Sequence, residues 1–313
     1  MVLNACLLIL GIILLYAGSE WMVRGAVSLA FALSVRPIVV GLTVVAFATS
    51  APELLVSIVA AYKGSSGVSL GNILGSNVAN IGLVLGSSAL VRPLVVDKGL
   101  LTREIPFLLA ASAAFWVVCA DGYIGKTDGI LLLCGLGAFL AMGLVTAKNA
   151  GEDQADVIKE KKKIAWQIFL VLAGMGGLMA GASLVVNSAI FIARQVGLSE
   201  TFIGLSIVAL GTSLPELATS VVAGAKGEHD ISVGNVVGSN VFNICMVIGA
   251  IGLFNPMAVD TGLMRFEFPA MTALTVLLWI FSRTGFVIGR LEGFFFVAGF
   301  FSFIGLSYWM GNA

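Results

Sequence analysis

The sequence predicts an all-α integral membrane protein of ten transmembrane helices, arranged as two inverted-topology five-helix repeats. Three observations carry this expectation. The 313-residue chain is 59% apolar and only 11% charged, against about 45–50% and 25% in soluble domains, and its mean hydropathy is +1.06. One soluble core cannot hide so many apolar side chains, because burial is limited by surface-to-volume scaling. The apolar residues also gather into ten stretches of membrane-crossing length, and the chain repeats itself.

The stretches lie near 3–33, 37–62, 68–90, 104–120 and 124–147, then 164–193, 200–225, 231–253, 267–282 and 286–310. A crossing needs about 20 apolar residues, so the longer first and sixth stretches are expected to tilt. No Lys or Arg precedes the first stretch, which reads as a retained helix and not a cleaved signal peptide. Strand-period alternation is absent, which argues against a barrel.

Residues 41–86 align without a gap on 204–249 at an offset of 163, with 25 of 46 positions identical. The match continues more weakly: Pro93 falls on Pro256, Asp97 on Asp260, Glu104 on Glu267 and Trp116 on Trp279. The division is therefore 1–147, a polar linker 148–163, and 164–313. Five spans per copy is an odd number, so the second copy enters the membrane from the opposite side, as in many transporters.

Loop cations set the orientation. With both termini outside, the cytoplasmic ends hold twelve cations, including Arg36, Arg92, Lys98, Lys226 and the KEKKK run at 159–163, against four outside, Lys63, Lys126, Arg194 and Arg265. The expected location is the cell membrane, with the linker cytoplasmic. Net charge is zero and no basic stripe interleaves with aromatics, which disfavours nucleic acid. Cys6, Cys119, Cys134 and Cys245 stand singly in apolar runs and read as small packing residues. The single histidine, His229, lies beside Glu228 and Asp230 in what reads as a solvated loop. No catalytic constellation or cofactor motif accompanies it, so an enzyme is not expected.

Polar groups stand where lipid disfavours them. Each copy carries T-S-x-P-E within its second span: Thr49, Ser50, Pro52, Glu53 and Thr212, Ser213, Pro215, Glu216. A charged residue at mid-membrane costs roughly 2.5–3.5 kcal/mol on insertion scales, and no cation shares the span interior. Proline breaks the helix and frees carbonyls one turn earlier, near Ala46 to Thr49 and Ala209 to Thr212. Carboxylate, hydroxyl and carbonyl oxygens together suit a hard cation. The next span repeats G-N-x-x-G-S-N-x-x-N, whose four-residue spacing sets Asn72, Ser76 and Asn80 on one face, with Asn235, Ser239 and Asn243 matching. Asn72, Asn235 and the glycines read first as helix–helix contacts. Asn77 and Asn240 stand open between contact and ligand. Glu20 and Arg24, four apart in the first span, can pair on one face, although a gating role is the alternative.

These paired segments resemble the alpha repeats of the cation/calcium exchanger superfamily, and most resemble those of prokaryotic sodium/calcium exchangers. The resemblance implies an antiporter that exchanges Ca2+ for Na+, with the ions as substrates and no cofactor. It implies Glu53 and Glu216 as acidic ligands, with Thr49, Ser50, Thr212, Ser213, the carbonyls of Ala46 and Ala209, and Ser76, Asn80, Ser239 and Asn243 adding neutral oxygens. It also implies three Na+ per Ca2+, and first and sixth spans that slide as a gate. Two departures stand out: Ala48 replaces the Gly211 of the second copy, and Asn243 stands where several relatives carry Asp, which lowers the expectation of K+ coupling. Close glutamates cannot ionise independently, so protons compete with metal, and a proton/calcium antiporter is the alternative reading. A passive cation channel fits less well, since channels commonly build filters from subunit rings.

Overall fold

A computed structural model describes residues 2–150, 164–196, 209–259 and 262–311. Eleven helices and four two-residue strands position the site. The first repeat holds α1 (Val2–Ala32), α2 (Pro37–Thr49), α3 (Ala51–Tyr62), α4 (Ser66–Val91), β1 (Leu94–Val95), α5 (Leu100–Val118), β2 (Tyr123–Ile124) and α6 (Lys126–Ala150). The second holds α7 (Ile164–Gln195), a turn at Ala209–Gly211, α8 (Leu214–Lys226), α9 (His229–Phe254), β3 (Met257–Ala258), α10 (Leu263–Arg283), β4 (Val287–Ile288) and α11 (Arg290–Gly311). Among the described residues, eight helices are long and apolar enough to cross a membrane, and α2 with α3 form a ninth span bent by 45°. The expected span 200–225 is described only from Ala209, and linker residues 151–163, with Lys159 and Lys161 to Lys163, lie outside the described residues, as does Asp260.

Burial sorts the helices. The best-buried windows are those of α4 and α9, at 78% and 83%, whereas α1, α6 and α11 expose most of their apolar surface. α4 and α9 are repeat mates, so the core is built around the pseudo-twofold. The exposed apolar residues of the outer helices (Ile12, Leu131 and Phe294 among them) are those a bilayer would solvate.

α1 packs chiefly on α7, antiparallel, through glycines. A Cβ on Gly18 would meet Leu178 N at 2.7 Å, and one on Gly174 would meet Met22 N at 2.6 Å. The repeat mates of these glycines, Gly181 and Gly11, make the matching approaches, to Leu15 N at 2.8 Å and Val185 N at 3.0 Å, so each close approach is made twice. Small residues let backbones come together where lipid supplies no hydrophobic drive.

Two strand pairs clip the repeats together, one at each membrane face. β1 pairs antiparallel with β4, and β2 with β3. Periodicity over windows of helix or strand length cannot register two-residue strands, and the sequence reading contains none. At the face where α6 ends and α7 begins, here the linker face, Arg36 bonds Asp97. Burial raises the Asp97 carboxyl, but the Arg36 hydrogen bond and charge outweigh it and hold the group below the ordinary aspartate range.

Gly174→Val is expected to cost about 1–3 kcal/mol through overpacking, read as a lower melting temperature in detergent. Gly176→Val, whose added atoms meet open space, should leave melting unchanged. Equal melting of the two variants would contradict the close-packed α1–α7 seam.

Candidate cation-binding site

In each repeat the helix breaks where the sequence places proline. Ser50 (φ −81°, ψ 4°) and Ser213 (φ −85°, ψ 3°) leave helical geometry at equivalent points, and Pro52 and Pro215 lie in the opening turns of α3 and α8. A proline lacks the N–H that would bond the carbonyl four residues back, here that of Ala48 or Gly211. Glu53 and Glu216 fall in the first turns of α3 and α8, where the positive end of the helix dipole favours a carboxylate.

The two carboxyls come together at the molecular centre. Both residues are 0% exposed, and Glu216 lies near enough for its charge to act on Glu53. Neither has a Lys or Arg partner among the described residues. Ser50 Oγ crosses from the first repeat to donate to Glu216 Oε1 at 3.1 Å. The hydroxyls of Thr212 and Ser76 border the Glu53 carboxyl without closing a normal hydrogen bond to it.

Eight buried oxygens of these residues have no hydrogen-bond partner: both carboxyl oxygens of Glu53, Oε2 of Glu216, Oγ of Ser76 and Ser213, Oγ1 of Thr212, and Oδ1 of Asn80 and Asn243. They are half of the sixteen such atoms among the described residues. Leaving a buried polar group unsatisfied costs about 1–3 kcal/mol, so their concentration at one point calls for a ligand that accepts only oxygen donors. No group of three His, Cys, Asp or Glu gathers among the described residues. Two carboxylates therefore carry the charge, and neutral oxygens supply the rest.

The asparagines divide the work. Asn80 Nδ2 donates to Asn240 Oδ1 at 3.1 Å, and Asn243 Nδ2 donates to Asn77 Oδ1 at 3.1 Å. These repeat-related bonds tie α4 to α9 and turn the amide oxygens of Asn80 and Asn243 away from the clasp. Asn77 and Asn240 are thus orienting partners, a role the sequence leaves open and only the cross-repeat juxtaposition reveals. Asn72 and Asn235 each donate to a serine on the neighbouring helix, Ser57 and Ser220, at 2.9 Å, as helix–helix contacts. Both α4 and α9 widen to π-type turns, at Asn80–Leu85 and Phe242–Ile248, a distortion frequent at functional sites.

The repeats are not packed alike. Thr49 is buried, with Oγ1 3.0 Å from Asn235 Oδ1, 3.1 Å from Val45 O and 3.4 Å from Ser239 Oγ. Its mate Thr212 is half-buried and unpartnered. Gly234 and Gly238 of α9 meet α2 closely, with Leu42 O 2.5 Å from a Cβ on Gly238. On the other side, a crevice of about 50 Å³ reaches Ser76 past Gly71, Asn72 and Gly75, with Leu210 opposite. The packing of α2 on α9 closes the site toward the linker face; residues 200–208, the repeat mates of 37–45 in α2, lie outside the described residues.

One expectation needs amendment: His229 is half-buried in the opening turn of α9, not in a loop. The Ala46 carbonyl accepts the Ser50 N–H at 3.0 Å and lies 3.3 Å from Thr49 Oγ1; a carbonyl oxygen carries two lone pairs, so it keeps its place among the expected ligands. Glu20 bonds Arg24 at 2.5 Å, as the four-residue spacing suggests, and is also bridged by Lys226 at the end of α8. The Ala48/Gly211 departure has a packing cause: a Cβ on Gly211 would lie 2.3 Å from Val186 Cγ2.

Inverted repeats that meet at a buried, unpaired oxygen cluster define a membrane transporter. The family model "Sodium/calcium exchanger protein" matches residues 3–145 and 166–309, and the chain belongs to this family. Inner membrane protein YrbG of Escherichia coli (strain K12) is 33% identical, over 99% of this chain and 98% of its own. Sodium/calcium exchanger MaX1 of Methanosarcina acetivorans is 31% identical, over 93% and 94%. Among solved structures, the sodium-calcium exchanger NCX_Mj soaked with Na+ and Sr2+ superimposes with a TM-score of 0.85 at 33% identity, over 97% of this chain and 98% of that one.

Asn77→Ala or Asn240→Ala, which removes an orienting partner, is expected to weaken cation binding by roughly 10–100-fold in an equilibrium titration of the purified protein. Wild-type affinity in both variants would show that the clasp does not orient the amide oxygens.

Proposed function

We propose that the chain is a sodium/calcium antiporter that exchanges Ca2+ for Na+ by alternating access, with both ions bound in turn at one central site. The observation that carries this reading is the cluster of eight unpartnered oxygens around two carboxylates contributed by opposite repeats. Glu53 and Glu216 supply the charge, and Thr49, Ser50, Thr212, Ser213, Ser76, Ser239, Asn80 and Asn243, with the carbonyls of Ala46 and Ala209, the neutral oxygens. The names of MaX1 and NCX_Mj support the choice of ions.

Charge balance explains the exclusion of one ion by the other. The ionised empty site carries about −2. One Ca2+ neutralises it, and so do two Na+, while a third Na+ leaves +1. We adopt three Na+ per Ca2+, which moves one net charge per cycle and couples flux to voltage at about 2.3 kcal/mol per 100 mV. Protonation of either carboxylate removes a ligand, so Ca2+ affinity should fall as pH is lowered.

The protein lies in the cell membrane with its termini outside and residues 148–163 cytoplasmic, as the loop cations favour. In that orientation the packing of α2 on α9 closes the inner path, and the crevice beside Gly71 and Ser76 is the outer approach this reading assigns.

45Ca2+ uptake into proteoliposomes with imposed Na+, K+ or H+ gradients tests the reading. Uptake driven by internal Na+ with a net current is expected, and Glu53→Gln and Glu216→Gln should each abolish it. Electroneutral flux would overturn the three-to-one ratio, and flux driven by H+ without Na+ would overturn the choice of driving ion.

A further inference from the structure

Inverted repeats make the two faces equivalent in architecture, so a feature present on one face alone biases the equilibrium between states. The ion pairs around Glu20 are such a feature. Glu20 of α1 is 15% exposed at its side chain and bridges Arg24 on its own helix and Lys226 at the end of α8. α8 begins with the site motif and carries Glu216. The bridge therefore ties the α1–α7 pair to the helix that holds a carboxylate of the site, on the linker face. The repeat mates of Glu20, Arg24 and Lys226 are Ser183, Asn187 and Lys63. Ser183 accepts a hydrogen bond from Asn187 Nδ2 at 3.2 Å, a neutral copy of the Glu20–Arg24 pair, and Lys63 is exposed with no ion-pair partner among the described residues. The second ion pair on the linker face, Arg36–Asp97, has Ser199 at the repeat position of its arginine.

We propose that the Glu20–Lys226 bridge is a one-sided latch that holds the transporter in the state closed at the linker face, the state in which alternating access exposes the crevice beside Gly71. This rests on the alternating-access reading above. Exchange of states swaps the conformations of the two repeats, so the α1–α8 contact must take up the present geometry of its mate, α7–α3. Glu20 then leaves Lys226, while Ser183 comes to Lys63 without a carboxylate to bond it. The latch stabilises one state only, and a contact that differs between two states shifts their populations.

The test uses the full-length protein in proteoliposomes, with the four native cysteines replaced and Gly71→Cys placed in the crevice, where a Cβ meets no described atom. The readout is the rate of modification by a membrane-impermeant maleimide, beside Ca2+ flux through the same preparation. Glu20→Gln and Lys226→Met should each slow modification by about threefold to tenfold, and the double variant should slow it no further than either single one. Ser183→Glu in the Glu20→Gln background moves the carboxylate to Lys63 and should slow it more. Modification unchanged in every variant while Na+-driven flux persists would overturn the latch and leave the exchanger reading standing. Absence of flux in the unmodified background would instead remove the reading on which the latch rests.

Discussion

Two carboxylates stand at the centre of a lipid-embedded protein with no basic side chain among the described residues to neutralise them. The break at Ser50–Pro52 and its mate at Ser213–Pro215 set each glutamate on the positive end of a helix, which gives partial compensation without a cation. The hydroxyls and amides around them are neutral, so charge at the centre can be balanced by what binds there. A Lys or Arg in that position would satisfy the glutamates permanently and leave nothing to carry. The proposed exchange follows from this deficit: either ion can fill it, and neither can while the other does.

The inverted repeat explains how a deficit held so deep is reached from both sides. Equivalent halves of opposite orientation allow two related states around a fixed centre. In the present state the first repeat's α2 lies tightly on Gly234 and Gly238, while Gly71 and Gly75 line a crevice. The strand pairs β1–β4 and β2–β3 and the Asn80–Asn240 and Asn243–Asn77 bonds fasten the core. The α1–α7 pair is packed tightly on itself through its glycines, which suits it to move as a unit.

Most of this architecture was legible because it is written at helix length and written twice. Ungapped identity between 41–86 and 204–249 exposes the duplication, and the odd number of spans gives the inversion. The carboxylates were legible because lipid makes an unpaired glutamate conspicuous. Contacts between the repeats were not. Asn77 and Asn240 look the same in sequence as any polar residue on a packed helix, and their clasping role depends on an alignment of α4 against α9 that periodicity does not specify. Lys226 reads only as one of the cytoplasmic-end cations because sequence does not show that Glu20 lies beside it. The Ala46 carbonyl keeps its backbone donor, Ser50 N–H, because the carbonyl that Pro52 deprives of a donor is that of Ala48.

The central claim is that one cation is shared by the acidic side chains of both repeats. Anomalous diffraction from a crystal soaked in Ca2+ or Sr2+ tests it most directly. The account predicts a peak at about 2.3–2.6 Å from carboxylate oxygens of both Glu53 and Glu216, lost in crystals of either Gln variant. A divalent ion held by only one of the two, or bound elsewhere with this centre left empty, would contradict it.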